Sequence, residues 1–343
     1  MKLSKRIGLI ILSVFFAFSV PESKNVQAAG ESATREFFAM DTVMAVSVNG
    51  KNAEDAADAM VDIAGRIDAE LSTGNEKSEV SVINAAGEGV LTEDGMVLMK
   101  RALSLYEESG GLFDISIYPV MELWGFTTGD YHVPEAAELD EAMKLVDASV
   151  IVFDEKSGEV KLPEKGMKID FGGIAKGYTS ACMTDTLRKM GIESALVNLG
   201  GNVQALGSKP DGSKWRVGIR DPEDDSGMLG VISISDLAVI TSGGYERFFE
   251  ENGERYHHII DPRTGHPAES GLISVTIVSS DGVLADGLST FLYIAGEEKA
   301  VEFWRDMDEK FDMILEREDG TLVISEGIED IFNSERSLEV VKR

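Results

Sequence analysis

Cysteine is all but absent from this 343-residue chain; Cys182 stands alone, so no internal disulfide holds the fold together. Positive charge is scarce as well. Against 61 Asp and Glu there are 32 Lys and Arg, a formal net charge of −29. So acidic a surface argues against nucleic acid and anionic membrane as partners. A polyanionic small molecule would need a metal ion or a local cluster of donors to bind. Long apolar runs are missing too. The one extended run, residues 7–20, is short for a membrane span. There is no internal repeat and no low-complexity linker.

The N-terminus reads as a processed segment. Lys2, Lys5 and Arg6 precede the apolar run, and a polar stretch then leads to V-Q-A-A at 26–29. This is the order of a secretory signal peptide, and cleavage is expected near Ala28. Residues 1–28 form the signal and 29–343 the folded domain, with an uncleaved anchor as the alternative. No cysteine lies near the cleavage region, so a cysteine-anchored lipoprotein is not expected.

The 43% hydrophobic content is that of a globular chain, and its length suffices for one large domain or two intertwined lobes. Alternation predicts a strand at 43–48. Apolar spacing predicts a helix over 52–71 with Asn52 as its cap. Residues 72–78 are a loop and 95–108 a helix ended by Gly110-Gly111. In 112–126 Pro119 breaks any regular element, and Trp124 and its aromatic neighbours read as core. A loop over 127–138, a helix over 139–146 and a hairpin across 155–158 come next. Lys168-Ile169-Asp170 reads as a short strand, with Gly172-Gly173 opening a helix over 174–190. Strands follow at 215–219, 231–234, 238–241 and 272–279, helices at 283–295 and 297–307, and a hairpin over 311–325. Residues 333–343 read as a frayed tail. Strands outnumber helices and neighbour one another in hairpins, so the fold class is α+β with mostly antiparallel sheets and packed helices.

The reactive chemistry gathers in 238–290, which holds three of the four histidines, a Gly-Gly turn and an Asp-Pro turn. On a helix over 283–295, Asp286, Ser289 and Thr290 share one face. Their hard oxygens suit Mg2+ or Ca2+; equally, an Asp near a helix start caps it. His257 and His258 would point to opposite faces of a strand, so one faces a site and the other solvent. His266 reads as a loop residue. The Gly172-Gly173 junction offers an anion site at a helix start beside Lys176, although close packing explains a glycine pair as well. Cys182 reads as a small buried apolar residue.

Eight blocks in order resemble one family: F-F-A-M-D-T (37–42), L-S-T (71–73), F-D-I-S-I-Y-P-V-M-E-L-W-G-F (113–126), I-D-F-G-G-I-A-K-G-Y (169–178), V-N-L-G-G-N (197–202), T-S-G-G-Y-E-R-F (241–248), H-I-I-D-P-R-T-G-H-P (258–267) and A-D-G-L-S-T (285–290). The chain resembles the ApbE flavin transferases. The resemblance implies a T-fold-like α+β architecture. It implies an enzyme that uses Mg2+ to transfer FMN from FAD to a threonine hydroxyl of an exported flavoprotein bearing an Asp/Ser-Gly-Ala/Ser-Thr motif, with AMP released. It also implies roles residue by residue. Gly173, Asp286, Ser289 and Thr290 match metal positions. Met40, Leu112, Phe113, Asp114, Asp170, Lys176 and Ile260 match flavin-nucleotide contacts. His258 matches the histidine before I-I-D-P and is the expected base. Gly74 stands where the family often has a flavin-covering tyrosine, which keeps an FAD pyrophosphatase as the alternative; a non-catalytic flavin carrier is the reading of another class.

Overall fold

In the computed structural model the described residues are 31–224, 227–308 and 310–343. The expected signal segment, residues 1–28, lies outside them. The described chain opens with a hairpin of β1 (Ser32–Ala39) and β2 (Thr42–Asn49). Its turn residues Met40 and Asp41 both take positive φ, 48° and 57°, as a two-residue turn between twisted strands requires. Helix α1 (Ala53–Leu71) follows and buries Met60, Ala64, Ile67 and Leu71 on one face. Asn52 occupies its N-cap but makes no side-chain cap; its backbone N–H goes to Glu31 Oε2 at 2.9 Å.

Helix α2 (Glu79–Ala86) has no counterpart in the sequence reading; the Ser78 hydroxyl caps it. Past β3 (Glu88–Val90), α3 (Glu93–Glu108) begins two residues before Gly95, because the Thr92 hydroxyl accepts from Gly95 N. The stretch around Pro119 is not irregular. Pro119 sits in the first turn of α4 (Tyr118–Leu123), where its missing N–H costs nothing. Helix α5 (Ala136–Met143) begins inside the expected loop, and β4 (Val152–Phe153) and β5 (Glu159–Lys161) pair as a hairpin. Residues 168–170 form no strand; Asp170 N donates to Ile115 O at 2.9 Å, and the Asn84 side chain bonds both Ile169 N (2.7 Å) and Ile169 O (2.8 Å).

Helix α6 (Ala175–Lys189) leads into β6 (Ser194–Leu199) and β7 (Asn202–Leu206). Strands β8 (Trp215–Arg220) and β9 (Met228–Ile234) belong to a small second sheet. After β10 (Ala238–Gly243), β11 (Phe248–Glu251) and β12 (Glu254–His257) make a separate hairpin. The chain continues through β13 (Leu272–Ser279), α7 (Gly282–Ala295), α8 (Glu297–Asp306), β14 (Asp312–Arg317), β15 (Leu322–Ser325), β16 (Phe332–Asn333) and β17 (Leu338–Val341). Nine strands form the main sheet in the order β1-β2-β6-β7-β10-β13-β14-β15-β17. All its neighbours are antiparallel except β15 and β17. The tail is therefore not frayed: Leu338 to Val341 add a last, parallel strand beside Leu322 to Ser325.

Strand alternation sends side chains to two cores. Ile240, Val275, Ile277 and Met313 pack with Leu284, Leu288 and Leu292 of α7, while Val239, Val278 and Ile314 pack against the small sheet. Each fully buried aliphatic side chain contributes about 1.5–3 kcal/mol. A third cluster sets the β11–β12 hairpin in place. Trp124 is fully buried and contacts Phe126, Phe249 and Tyr256, with its Nε1 donating to Gly265 O at 2.8 Å. The outcome is an α+β fold in which α6, α7, the end of β10 and the hairpin base converge.

Candidate active site

Where those elements converge lies an open cleft with a cavity of about 170 Å³. Its floor comes from a close helix approach. A Cβ on Gly177 of α6 would stand 2.2 Å from Gly282 O and 2.7 Å from Asp286 Cβ, so only glycine lets α6 and α7 meet there. The approach brings Gly177 N to 2.7 Å from Asp286 Oδ2; Asn202 Nδ2, from the start of β7, donates to Oδ1 at 2.9 Å. Asp286 is 4% exposed. Burial pushes its carboxyl above the usual range, while the Lys176 ammonium and the two donors pull it back.

Asp286 is not the helix cap. Asp281 is, accepting from Val283 N and Leu284 N at 2.9 and 3.0 Å. Asp286 sits one turn further in and lines the cleft. Thr290, one turn on, also lines the cleft, and Gly173 stands beside it. Ser289 departs from its expected place. It is fully buried, its Oγ bonding back to Asp286 O at 2.8 Å and pairing with Ser242 Oγ at 2.7 Å, so it does not line the cleft. Among the described residues no three His, Cys, Asp or Glu cluster to hold a metal by themselves. Asp286 and Thr290 supply oxygen donors only. Such a sparse oxygen set fits Mg2+, which retains waters and shares substrate phosphates, better than a cation needing a full protein cage.

The cation side of the cleft is Lys176, in the first turn of α6, and Arg247, just before β11. Asp170 lies near both. Burial raises its carboxyl, offset first by the Gly172 N–H (3.1 Å) and then by Arg247 and Lys176. Glu246 keeps solvent contact at the cleft mouth, yet enough protein surrounds it that desolvation pushes its carboxyl up to about 7. The apolar walls are Leu112, Phe113 and Ile260, each 5% exposed. Asp114 lines the cleft too, but its carboxylate is already engaged. Oδ1 accepts from Ser116 N and Oγ at 2.7 and 2.5 Å, and Oδ2 from Ala148 N at 3.3 Å, so it holds the turn that shapes the wall. Met40 stands apart from the cleft wall; its Sδ lies 3.8 Å from Thr179 Oγ1.

The two adjacent histidines are told apart by their bonds. Both ring nitrogens of His257 are taken: Nδ1 accepts from Ile259 N at 3.3 Å and Nε2 bonds Ala268 O at 3.1 Å. His258 lines the cleft, and its Nδ1 bonds Arg247 O at 3.2 Å. A carbonyl only accepts, so the proton is on Nδ1 and Nε2 keeps its lone pair. Burial, then the Arg247 guanidinium and His257, push this imidazole well below its ordinary value, so it is neutral at pH 7. His266 is exposed and packs edge-on against Trp124, as a loop residue.

The cleft thus gathers His258, Leu112, Phe113, Asp114, Asp170, Lys176, Ile260, Gly173, Asp286 and Thr290, and leaves out Met40 and Ser289. Asn202, Ser242, Glu246 and Arg247 are cleft residues the sequence reading left without a role. They stand in the V-N-L-G-G-N and T-S-G-G-Y-E-R-F blocks, which are polar ends of otherwise apolar strands; that was the available signal.

Comparison with known proteins supplies the context. The family model described as ApbE family matches residues 40–315. A protein of Klebsiella pneumoniae named FAD:protein FMN transferase is 35% identical over 261 residues, covering 74% of this chain and 80% of its own. Its namesake in Treponema pallidum is 37% identical over 253 residues, 69% of this chain and 70% of its own. Among solved structures, an ApbE protein of Thermotoga maritima superposes with a TM-score of 0.81 at 34% identity, over 87% of this chain and 98% of that one. The flavin transferase ApbE of Vibrio cholerae gives 0.78 at 25% identity, over 88% and 99%.

Proposed function

The chain belongs to the ApbE family, and from that premise we propose that it is an Mg2+-dependent transferase that moves FMN from FAD to a threonine hydroxyl of an exported protein and releases AMP. The observation that carries the reading is the single cleft holding a neutral His258, an oxygen donor pair on α7 and two cations.

The chemistry follows from what each residue offers. His258 Nε2 takes the proton of the acceptor threonine as its Oγ forms a bond to the FMN phosphorus. The anhydride P–O bond breaks, and its electron pair leaves with AMP. A neutral imidazole is the state a base needs, and burial first, then the neighbouring Arg247 guanidinium, keeps it so. Asp286 and Thr290, with Gly173 beside them, are the residues that would hold Mg2+, which when bound neutralises phosphate charge. Leu112, Phe113 and Ile260 offer apolar surface to the flavin nucleotide, and Lys176 at the start of α6 meets its phosphates. In a chain of net charge −29 such local donors are needed for FAD to bind at all. The acceptor is expected to carry an Asp/Ser-Gly-Ala/Ser-Thr motif, and export of this protein would place it with such targets.

One assay tests the reading. The purified protein is mixed with FAD, Mg2+ and a small domain bearing the threonine motif. Flavin fluorescence on the denatured acceptor, with AMP released, supports the transferase. Free FMN and AMP with a dark acceptor would make it a pyrophosphatase, and intact FAD throughout would make it a carrier.

A further inference from the structure

We propose that Arg247 is a catalytic residue of this site, whose guanidinium grips the phosphoryl group during transfer while its backbone carbonyl sets the base. The proposal rests on the flavin-transfer reading above.

Arg247 immediately precedes β11, and His258 immediately follows β12, so the two extend the same hairpin by one rung. The Arg247 carbonyl accepts both His258 N, at 3.0 Å, and His258 Nδ1, at 3.2 Å. The backbone of Arg247 thus fixes the ring and its tautomer. Its side chain does something else. It lines the cleft and gives one hydrogen bond, from Nη1 to Phe126 O at 3.2 Å. Among the described residues it forms no ion pair, although Asp170 and Glu246 feel its field. An exposed guanidinium with most of its donors free, set in the wall of an anion site, is an unusual expense in a chain where carboxylates outnumber cations nearly two to one. Several other arginines hold carboxylates, among them Arg35, Arg66, Arg263, Arg317 and Arg336.

The geometry gives those free donors a partner. Lys176 enters the cleft from α6, and Arg247 from the hairpin. Lys176 offers a point charge and Arg247 a planar fork that matches two phosphate oxygens. As the threonine oxygen attacks and the anhydride bond breaks, charge spreads over the non-bridging oxygens of the FMN phosphoryl group. A fork beside His258 meets that charge on the side from which the nucleophile arrives. No new group or oxidant enters: the proton goes to His258 and the electron pair leaves with AMP.

Arg247→Ala separates the two roles, because it keeps the carbonyl that holds His258. The expected result is a fall in kcat for acceptor flavinylation of about 10²–10³-fold, with FAD affinity changed less than about fivefold. Arg247→Lys recovers part of the loss, since it restores charge without the fork. A second readout excludes a purely structural role. The titratable groups acting on His258 are Arg247 and His257 on the hairpin and Lys176 from α6. Removing the guanidinium moves the acid limb of the kcat–pH profile of Arg247→Ala to higher pH. Wild-type kcat in Arg247→Ala would overturn the proposal, as would lost FAD affinity at unchanged kcat, which makes the residue a ground-state contact. So would a loss of kcat with an unmoved acid limb, which makes it a strut for Phe126. Absence of any transfer by the wild-type protein would strike the transferase reading itself, a result distinguishable from all of these.

Discussion

Replacing Gly177 with alanine tests the helix approach on which the cleft is built. The new methyl would lie 2.2 Å from Gly282 O and 2.7 Å from Asp286 Cβ, where ordinary contact begins at 3.4 Å. Neither neighbour is a flexible side-chain end, so α6 and α7 must part by about 1 Å. Overpacking of this kind costs about 1–3 kcal/mol. The Gly177 N–Asp286 Oδ2 bond, 2.7 Å, stretches out of range, and a hydrogen bond to a carboxylate is worth about 1.5–3 kcal/mol. Alanine returns about 1 kcal/mol of helix propensity. The net expectation is a destabilisation of about 1.5–5 kcal/mol, read as a lowered urea midpoint at unchanged slope. With Asp286 displaced, transfer should fall about a hundredfold. Gly65→Ala is the control. Gly65 lies within α1 with nothing within 4 Å of its added methyl, and the same substitution there should stabilise by about 0.5–1 kcal/mol. A Gly177→Ala protein with the wild-type midpoint and turnover would refute the account of the site's floor.

Asp286→Ala should abolish transfer by more than about a thousandfold and remove Mg2+ binding in calorimetry with FAD present; full turnover in Mg2+ would exclude it as a ligand. His258→Ala should leave FAD affinity within about threefold and cut transfer by about 10²–10⁴-fold, whereas lost FAD binding would make the residue a ligand contact. As the proposed base, His258 must be unprotonated. Because its pKa is depressed, the transfer rate should stay level through pH 6.5 and fall only well below it, and a limb centred at 6.5 or higher would contradict the burial argument. Trp124→Ala should cost about 3–5 kcal/mol in urea unfolding, since Trp124 is fully buried and anchors the hairpin that carries Arg247 and His258. The string D-G-L-S-T at 286–290 is one residue longer than the acceptor motif, and its Asp286 and Ser289 are buried, so no covalent flavin is expected on this chain. An intact mass raised by an FMN residue after incubation with FAD and Mg2+ would show otherwise.

Local signals were enough to read much of the architecture. The apolar spacing of α1, the alternation of β8 and β13 and the hairpin of β14 and β15 are fixed by short-range periodicity and turn residues, so they stand in the sequence itself. The same holds for the chemistry on offer: one carboxylate and two hydroxyls on α7, two histidines, a glycine pair before α6. Tertiary structure decided which of these face one another. Asp281 rather than Asp286 caps α7, because the helix starts at Gly282 and leaves Asp286 in its second turn. Ser289 turns away because its hydroxyl donates back to Asp286 O and pairs with Ser242 Oγ, 47 residues distant in sequence. His258 and not His257 keeps a free nitrogen, because Arg247 and Ala268 claim different ring atoms. The tail becomes a strand only because β15 leaves it an edge. Apart from the cap, each of these outcomes rests on a contact between separate segments of the chain. Periodicity carries no information about such a contact, and a glycine such as Gly177 reveals its purpose only when the second helix is packed against it.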